Sequence, residues 1–258
     1  MYPKDLGSLD ETNHCTMLLE ICANSYQSAI NAQKAGANRI ELCSELSVGG
    51  ITPSYGLLKK VLQDLSIPVM VLIRPRSGDF SYSDDEFAIM KENILLCKKL
   101  GCKGIVSGVL HTNNTIDMER TQELVKLSVP MSFTFHRAFD WLKNPMEALQ
   151  GLEKIGVHRI LTSGQKPTAK KGIELLIELQ KSANNINILP GGGINESNIQ
   201  LFQKAHFSEV HLSATSLHQT IEKPTISMNS QQHFDETLLA ISDIQKIKNC
   251  IDLLSNET

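Results

Sequence analysis

Residues 17–43, MLLEICANSYQSAINAQKAGANRIELC, decide the architecture. Met17 to Ala23 is a short apolar run of strand length. A helix follows from about Ser25, and Gly36 marks its end, because glycine takes the left-handed conformation that closes a helix without strain. Arg39 to Cys43 then reads as a second strand. A strand, a helix and a second strand in this order form a right-handed crossover, which sets the two strands parallel.

Working outward, the same unit recurs to the end of the chain. Further strands are read at Val69 to Arg74, Gly104 to Leu110, Ser132 to Arg137, Arg159 to Ser163, Asn187 to Pro190 and Glu209 to Ser213. Helices are expected from Pro53 and Ser54, from Asp84 to Leu100, and from Asp117, Asn144-Pro145, Thr168 and Asn195. Eight strand-helix units in 258 residues predict an α/β chain folded as one TIM (β/α)8 barrel. An open doubly wound sheet is the alternative, but no GxGxxG opens the first helix and no edge strand stands out. Residues 1–16 are read as an N-terminal extension and 17–258 as the barrel. An irregular segment, 217–235, precedes a last helix from Glu236 to Leu254, which carries Leu239, Ile241, Ile244, Ile247 and Ile251 at helical spacing.

Bulk properties narrow the function classes. A net charge of -3 argues against nucleic acid or an anionic membrane as partner. No apolar run reaches the ~18 residues of a membrane span, and the polar start of the chain lacks the apolar core of a signal peptide, so the cytoplasm is the expected location. The six cysteines, at 15, 22, 43, 97, 102 and 250, form no CxxC pair, which excludes zinc-finger and thioredoxin patterns.

Side-chain parity sorts the strands into two faces. With Leu19, Ile21, Ile40, Leu42, Val71, Ile73, Phe133, Phe135, Val210 and Leu212 turned out against the helices, Glu20, Cys22, Arg39, Glu41, Cys43, Leu72, Arg74, Thr134, His136, His211 and Ser213 point into the barrel. Active sites of this fold sit at the C-terminal mouth, where most of these polar residues fall. A structural charge network, with Arg39 and Arg74 neutralising Glu20 and Glu41, is the alternative, and the position at the mouth favours a functional site over it.

Three chemistries fit the inward set. Cys22 and Cys43 follow inward glutamates on neighbouring strands, within reach of a two-thiolate bridge that selects Cu(I); two small packed residues would look the same. Zinc would need His136 or His211 to complete three ligands. Ser163-Gly164, Gly191-Gly192-Gly193 and Ser213 follow strands six, seven and eight, where barrels cradle phosphate with backbone amides, although glycines also serve tight turns alone. Arg74 could hold an anionic substrate while His136, with Glu20 or Glu41, moves a proton.

The segments LEICANS (19–25), AGANRIELCSELSVGGITPS (35–54), IPVMVLIRPRSGDFSYSDDE (67–86), TFHRAFD (134–140), RILTSG (159–164), LPGGGI (189–194) and EVHLSA (209–214) together resemble the CutC family, usually called copper homeostasis proteins. The resemblance implies a cytoplasmic TIM barrel that self-associates, as a dimer or tetramer, with Cu(I) held at the two cysteines matching Cys22 and Cys43. It assigns no catalytic activity, so two functions stand beside each other. One is a copper-binding protein; the other is a barrel enzyme acting on a small anionic metabolite, phosphorylated ones included, by acid-base chemistry. A purely structural role leaves the inward polar cluster without a reason.

Overall fold

A computed structural model of the chain describes residues 17–222, 225–226 and 235–255. Strand and helix alternate as the repeat requires: β1 (Leu18–Ala23), α1 (Tyr26–Ala35), β2 (Arg39–Leu42), α2 (Tyr55–Asp64), β3 (Val69–Leu72), α3 (Asp84–Leu100), β4 (Gly104–Ser107), α4 (Met118–Ser128), β5 (Ser132–Phe135), α5 (Pro145–Lys154), β6 (Arg159–Thr162), α6 (Ile173–Ser182), β7 (Asn187–Pro190), α7 (Ile199–Lys204) and β8 (Glu209–Leu212). Each strand pairs in parallel with its sequence neighbours, and β8 comes round to β1 with His211 opposite Glu20. The seam between β7 and β8 is made by a parallel bridge from Gly191 to His211. This wrap-around order is that of a TIM barrel, and it removes the doubly wound alternative.

Local chemistry explains the helix starts. Ser25 and Ser54 each accept a backbone N–H of the first turn. Ser83 and Glu86 form a reciprocal capping box on α3, whose first turn carries Asp84, Asp85 and Glu86. Parity holds as read. Leu19, Ile21, Ile40, Leu42, Val71, Ile73, Phe133 and Phe135 join the large core between barrel and helices. Cys22, Cys43, Met70, Leu72 and Val106 form a separate small cluster inside the barrel. Each fully buried large side chain contributes about 1.5–3 kcal/mol, so the outer layer dominates stability.

Three expected helix starts move. The last helix, α8, spans Ile244–Ser255, and the residues before it form a hairpin of β9 (Thr215–Gln219) with β10 (Leu238–Ser242). Asp243 is the reason: its Oδ1 accepts the N–H groups of Gln245 (2.8 Å) and Lys246 (3.3 Å), which starts the helix there and not at Glu236. β10 packs on α1, where Ser28 Oγ accepts the Ser242 N–H at 3.0 Å. Leu217 to Gln219 is therefore strand, while 223–224 and 227–234 of the segment expected to be irregular, like the 1–16 extension, lie outside the described residues. The helix expected from Thr168 begins at Ile173, because Gly164 and Gly172 approach so closely that a Cβ on Gly164 would sit 2.2 Å from the Gly172 carbonyl oxygen. The helix expected from Asn195 begins at Ile199, after a turn in which the Asn195 side chain accepts the Ser197 N–H.

Candidate functional site

The mouth of the barrel opens into a cavity of about 670 Å³. Cys22, Glu41, Arg74, His136, Gly192, Gly193 and Ser213 line it, so most of the residues singled out by parity and by glycine content meet in one place. Its floor is charged. Arg39 donates to Glu20, bonds Glu209 at 2.6 Å, and Arg159 reaches the same Glu209 at 3.1 Å. His211 Nδ1 lies 2.8 Å from Glu20 Oε1 and 3.6 Å from Glu41 Oε2.

These contacts set the protonation states. Burial pulls the Glu20 carboxyl upward, but the His211 hydrogen bond and the Arg39 charge outweigh it and hold the group at about 2. Burial lifts Glu41 to about 7 against the attraction of His211, with the charge of Glu20 adding to the rise. Burial opposes the charged form of His211, yet its bonds to Cys22 and Glu20 and the Glu41 charge raise it well above the ordinary imidazole range. Glu20, Glu41 and His211 each offer a ligand atom, all within 4.8 Å of one another. Among the described residues, Glu41 Oε2 has no hydrogen-bond partner.

The raised Glu41 carboxyl has a measurable consequence. Its carboxyl is expected to be protonated below pH about 7 and ionised above it. Infrared difference spectra should therefore lose one carboxylic acid band as the pH rises through neutrality, and Glu41→Gln should lack it. Loss of that band near the ordinary glutamate value of ~4.3 would overturn the assignment.

The two thiols also meet. Cys22 Sγ and Cys43 Sγ are 3.7 Å apart, both free, with Cys22 facing the cavity and Cys43 wholly buried behind it. The bond to Cys43 and burial raise the Cys22 thiol well above its ordinary value, so it is protonated when no metal is bound. Met70 belongs to the same cluster, and its sulfur meets Ser132 Oγ at 3.9 Å.

The opposite wall is built differently from the sequence expectation. His136 does not pair with Glu20 or Glu41. It stacks on Phe80 (ring centroids 4.7 Å apart), and its Nδ1 accepts the Ala138 N–H at 3.3 Å. Burial and the nearby Arg74 charge lower it to about 3, which makes it a neutral donor and a poor base. Arg74 does not neutralise the glutamates either; its guanidinium is held by backbone carbonyls. The titratable groups that meet at the floor are Glu20, Glu41 and His211. His211 was legible as inward, but its closeness to Glu20 depends on the register of β8 against β1.

The anion cradle is likewise divided. The turn after β6 is filled by Asp140, whose carboxylate accepts from Ser163 N (3.0 Å), Ser163 Oγ (3.0 Å) and Gln165 N (3.2 Å), and also from Arg137 (2.8 Å). Gly164 N donates to Thr162 Oγ1 and Gly191 N to the Thr162 carbonyl. Ser163, Gly164 and Gly191 are thus occupied within the protein, leaving Gly192, Gly193 and Ser213 on the cavity. Phe80, Trp141 and Asp140 carry structure that parity could not show, because none lies on a barrel strand: Phe80 is on the loop after β3, and Asp140 and Trp141 are in the 3-10 turn Arg137–Trp141 after β5.

Comparison with known proteins follows this geometry. The family model described as the CutC family matches residues 17–216. A relative from Glaesserella parasuis serovar 5, named as a family protein CutC, is 42% identical over 241 residues, 93% of this chain and 99% of its own. A relative of the same name from Salmonella agona is 46% identical over 197 residues, 76% of this chain and 79% of its own. The crystal structure of CutC from Streptococcus agalactiae, whose description attaches copper homeostasis to it, superposes with a TM-score of 0.71 at 35% identity, covering 76% of this chain and 97% of that one. Thiamine phosphate pyrophosphorylase from Pyrococcus furiosus shares only the fold, with a TM-score of 0.57 at 12% identity over 93% of this chain and 96% of its own.

Proposed function

The chain belongs to the CutC family, and on that premise we propose that it serves copper homeostasis by holding Cu(I) between Cys22 and Cys43. The observation that carries this reading is the pair of sulfurs 3.7 Å apart in an apolar cage with one edge on the cavity. Two soft thiolates at low coordination suit Cu(I) over harder ions. With metal–sulfur bonds of ~2.3 Å, a linear bridge spans roughly 4.6 Å, so the sulfurs separate by about 1 Å on binding. Binding also displaces the thiol protons, so affinity rises with pH. His211 stands beside Cys22 to stabilise the emerging thiolate.

The reading places the protein in the reducing cytoplasm, where both thiols stay free. It includes self-association as a dimer or tetramer, for which the exposed Leu217 and Leu239 of the β9–β10 hairpin offer apolar surface. X-ray absorption of the protein loaded anaerobically with one equivalent of Cu(I) is expected to show two sulfur ligands. A nitrogen- or oxygen-dominated shell would sink the assignment.

A second reading has its own support. A two-thiol site needs neither Arg74 nor the orphaned Glu41 oxygen, and both face the cavity. An enzyme acting on a small anionic metabolite uses them: Arg74 binds the anion, and Glu41 with His211 moves the proton. Thermal shift against small carboxylates and phosphates tests it. No stabilisation by any of them removes this reading.

A further inference from the structure

The chain contains six arginines, at 39, 74, 76, 120, 137 and 159. Five have a carboxylate partner: Arg39 with Glu20, Arg76 with Glu86, Arg120 with Asp84, Arg137 with Asp140 and Arg159 with Glu209. Arg74, which is only 5% exposed, forms no ion pair among the described residues. Its Nη1 donates to the carbonyls of Val48 (2.8 Å) and Gly50 (2.9 Å), and its Nη2 to that of Gly78 (2.6 Å). Its guanidinium carbon lies 5.0 Å from the centre of the Phe80 ring. All of these partners are uncharged. A buried cation held in place by neutral groups keeps its charge available for an anion.

His136 presents a matching vacancy. Since Nδ1 accepts the Ala138 N–H, the ring proton sits on Nε2, and Nε2 is buried without a partner. Both residues line the mouth cavity and both contact Phe80. Among the described residues, the wall therefore offers one uncompensated positive charge and two unpartnered N–H donors, Arg74 Nε and His136 Nε2. A carboxylate, with one charge and two acceptor oxygens, fits that count. A phosphate brings a charge of roughly −1.5 to −2 and three oxygens, and the other cations on the cavity are already matched, Arg137 by Asp140 at 2.8 Å and His211 by Glu20 at 2.8 Å.

We propose that this wall is a carboxylate-binding subsite, in which Arg74 supplies the counter-charge and His136 Nε2–H a hydrogen bond to a small carboxylic acid metabolite whose remainder reaches toward Cys22 and Glu41. The inference deepens the enzyme reading of the same cavity and rests on it. It changes the role of His136 from a proton carrier to a binding donor.

The chain's single tryptophan supplies the probe, since Trp141 packs edge-on to Phe80 with ring centroids 4.8 Å apart. Titration of the intact protein with acetate, malonate and inorganic phosphate at constant ionic strength is expected to give a saturable change in Trp141 fluorescence with the carboxylates. Arg74→Met should weaken that binding roughly 10- to 100-fold, the worth of a hydrogen bond to a charged group, and Arg74→Lys should recover part of it. Arg74 also pins three carbonyls, so near-ultraviolet circular dichroism checks each variant's fold. His136→Phe, which keeps the ring on Phe80, is expected to weaken binding by a smaller factor and serves as the second test. Carboxylate binding that is unchanged in folded Arg74→Met and His136→Phe overturns the subsite while sparing the anionic-substrate reading. Tighter, Arg74-dependent binding of phosphate overturns the carboxylate assignment and likewise spares that reading. Absence of saturable binding by either class overturns both.

Discussion

Cys22→Ser combined with Cys43→Ser is expected to lower Cu(I) affinity on the order of a thousandfold or more, ~4 kcal/mol. Serine keeps the size of the side chain and replaces a soft, ionisable sulfur by a hard hydroxyl that stays protonated at neutral pH. The fold is expected to survive the change, which circular dichroism checks. A hydroxyl in the apolar cage costs about 1–3 kcal/mol, and at position 22 it has His211 within reach. Anaerobic competition against a Cu(I)-specific chelator reads the affinity. Cys97, Cys102 and Cys250 are buried away from the cavity and provide the control, since serine at those positions should leave copper binding unchanged. Undiminished affinity in the double variant would overturn the Cys22–Cys43 site. Single variants separate the roles further. Cys22 lines the cavity and Cys43 does not, so Cys22→Ser is expected to slow metal entry more than Cys43→Ser.

The barrel and the inward set were legible because each rests on local periodicity. A strand of period two next to helices of period 3.6 fixes which side chains share an interior, and Glu20, Cys22, Glu41, Cys43, Arg74 and His136 all follow from that. Pairings across the barrel were not legible. His211 meets Glu20 across 191 residues of chain, and only the register of the closing strands brings them together. His136 was expected beside a glutamate, but it stands on β5's end under the Phe80 loop, where Arg74 and an apolar ring surround it. Ser163 and Gly164 look like an open cradle until Asp140, from the loop after β5, fills it. The late start of α8 was in plain sight, since Asp243 precedes Ile244 as a capping residue, but the apolar spacing of Leu239 and Ile241 concealed a strand.

Arg39→Met is expected to destabilise the protein by about 3–5 kcal/mol, a large part of the 5–15 kcal/mol that folded domains possess. Arg39 is the link between two buried carboxylates, Glu20 and Glu209, which are 1% and 3% exposed. Methionine fills much of the volume but leaves Glu20 with His211 alone and Glu209 with Arg159 alone. The effect has a pH signature. Glu20 is depressed to about 2 in the fold from its ordinary 4.5, so its contribution to stability is present above pH 4.5 and lost as the pH falls through 2. The gap between wild type and Arg39→Met should therefore be widest near neutrality and narrow below pH 4.5. Urea denaturation at several pH values measures it, and a gap under about 1 kcal/mol at neutral pH, or one independent of pH, would remove the network from the stability account. Glu20→Gln in the Arg39→Met background is expected to recover part of the loss, because it removes the charge left without its partner. Since Arg39 does not line the cavity, the folded fraction of the variant should keep its Cu(I) affinity. If affinity falls in step with stability, the charged floor and the thiol pair act as one unit, and the metal reading must then include His211.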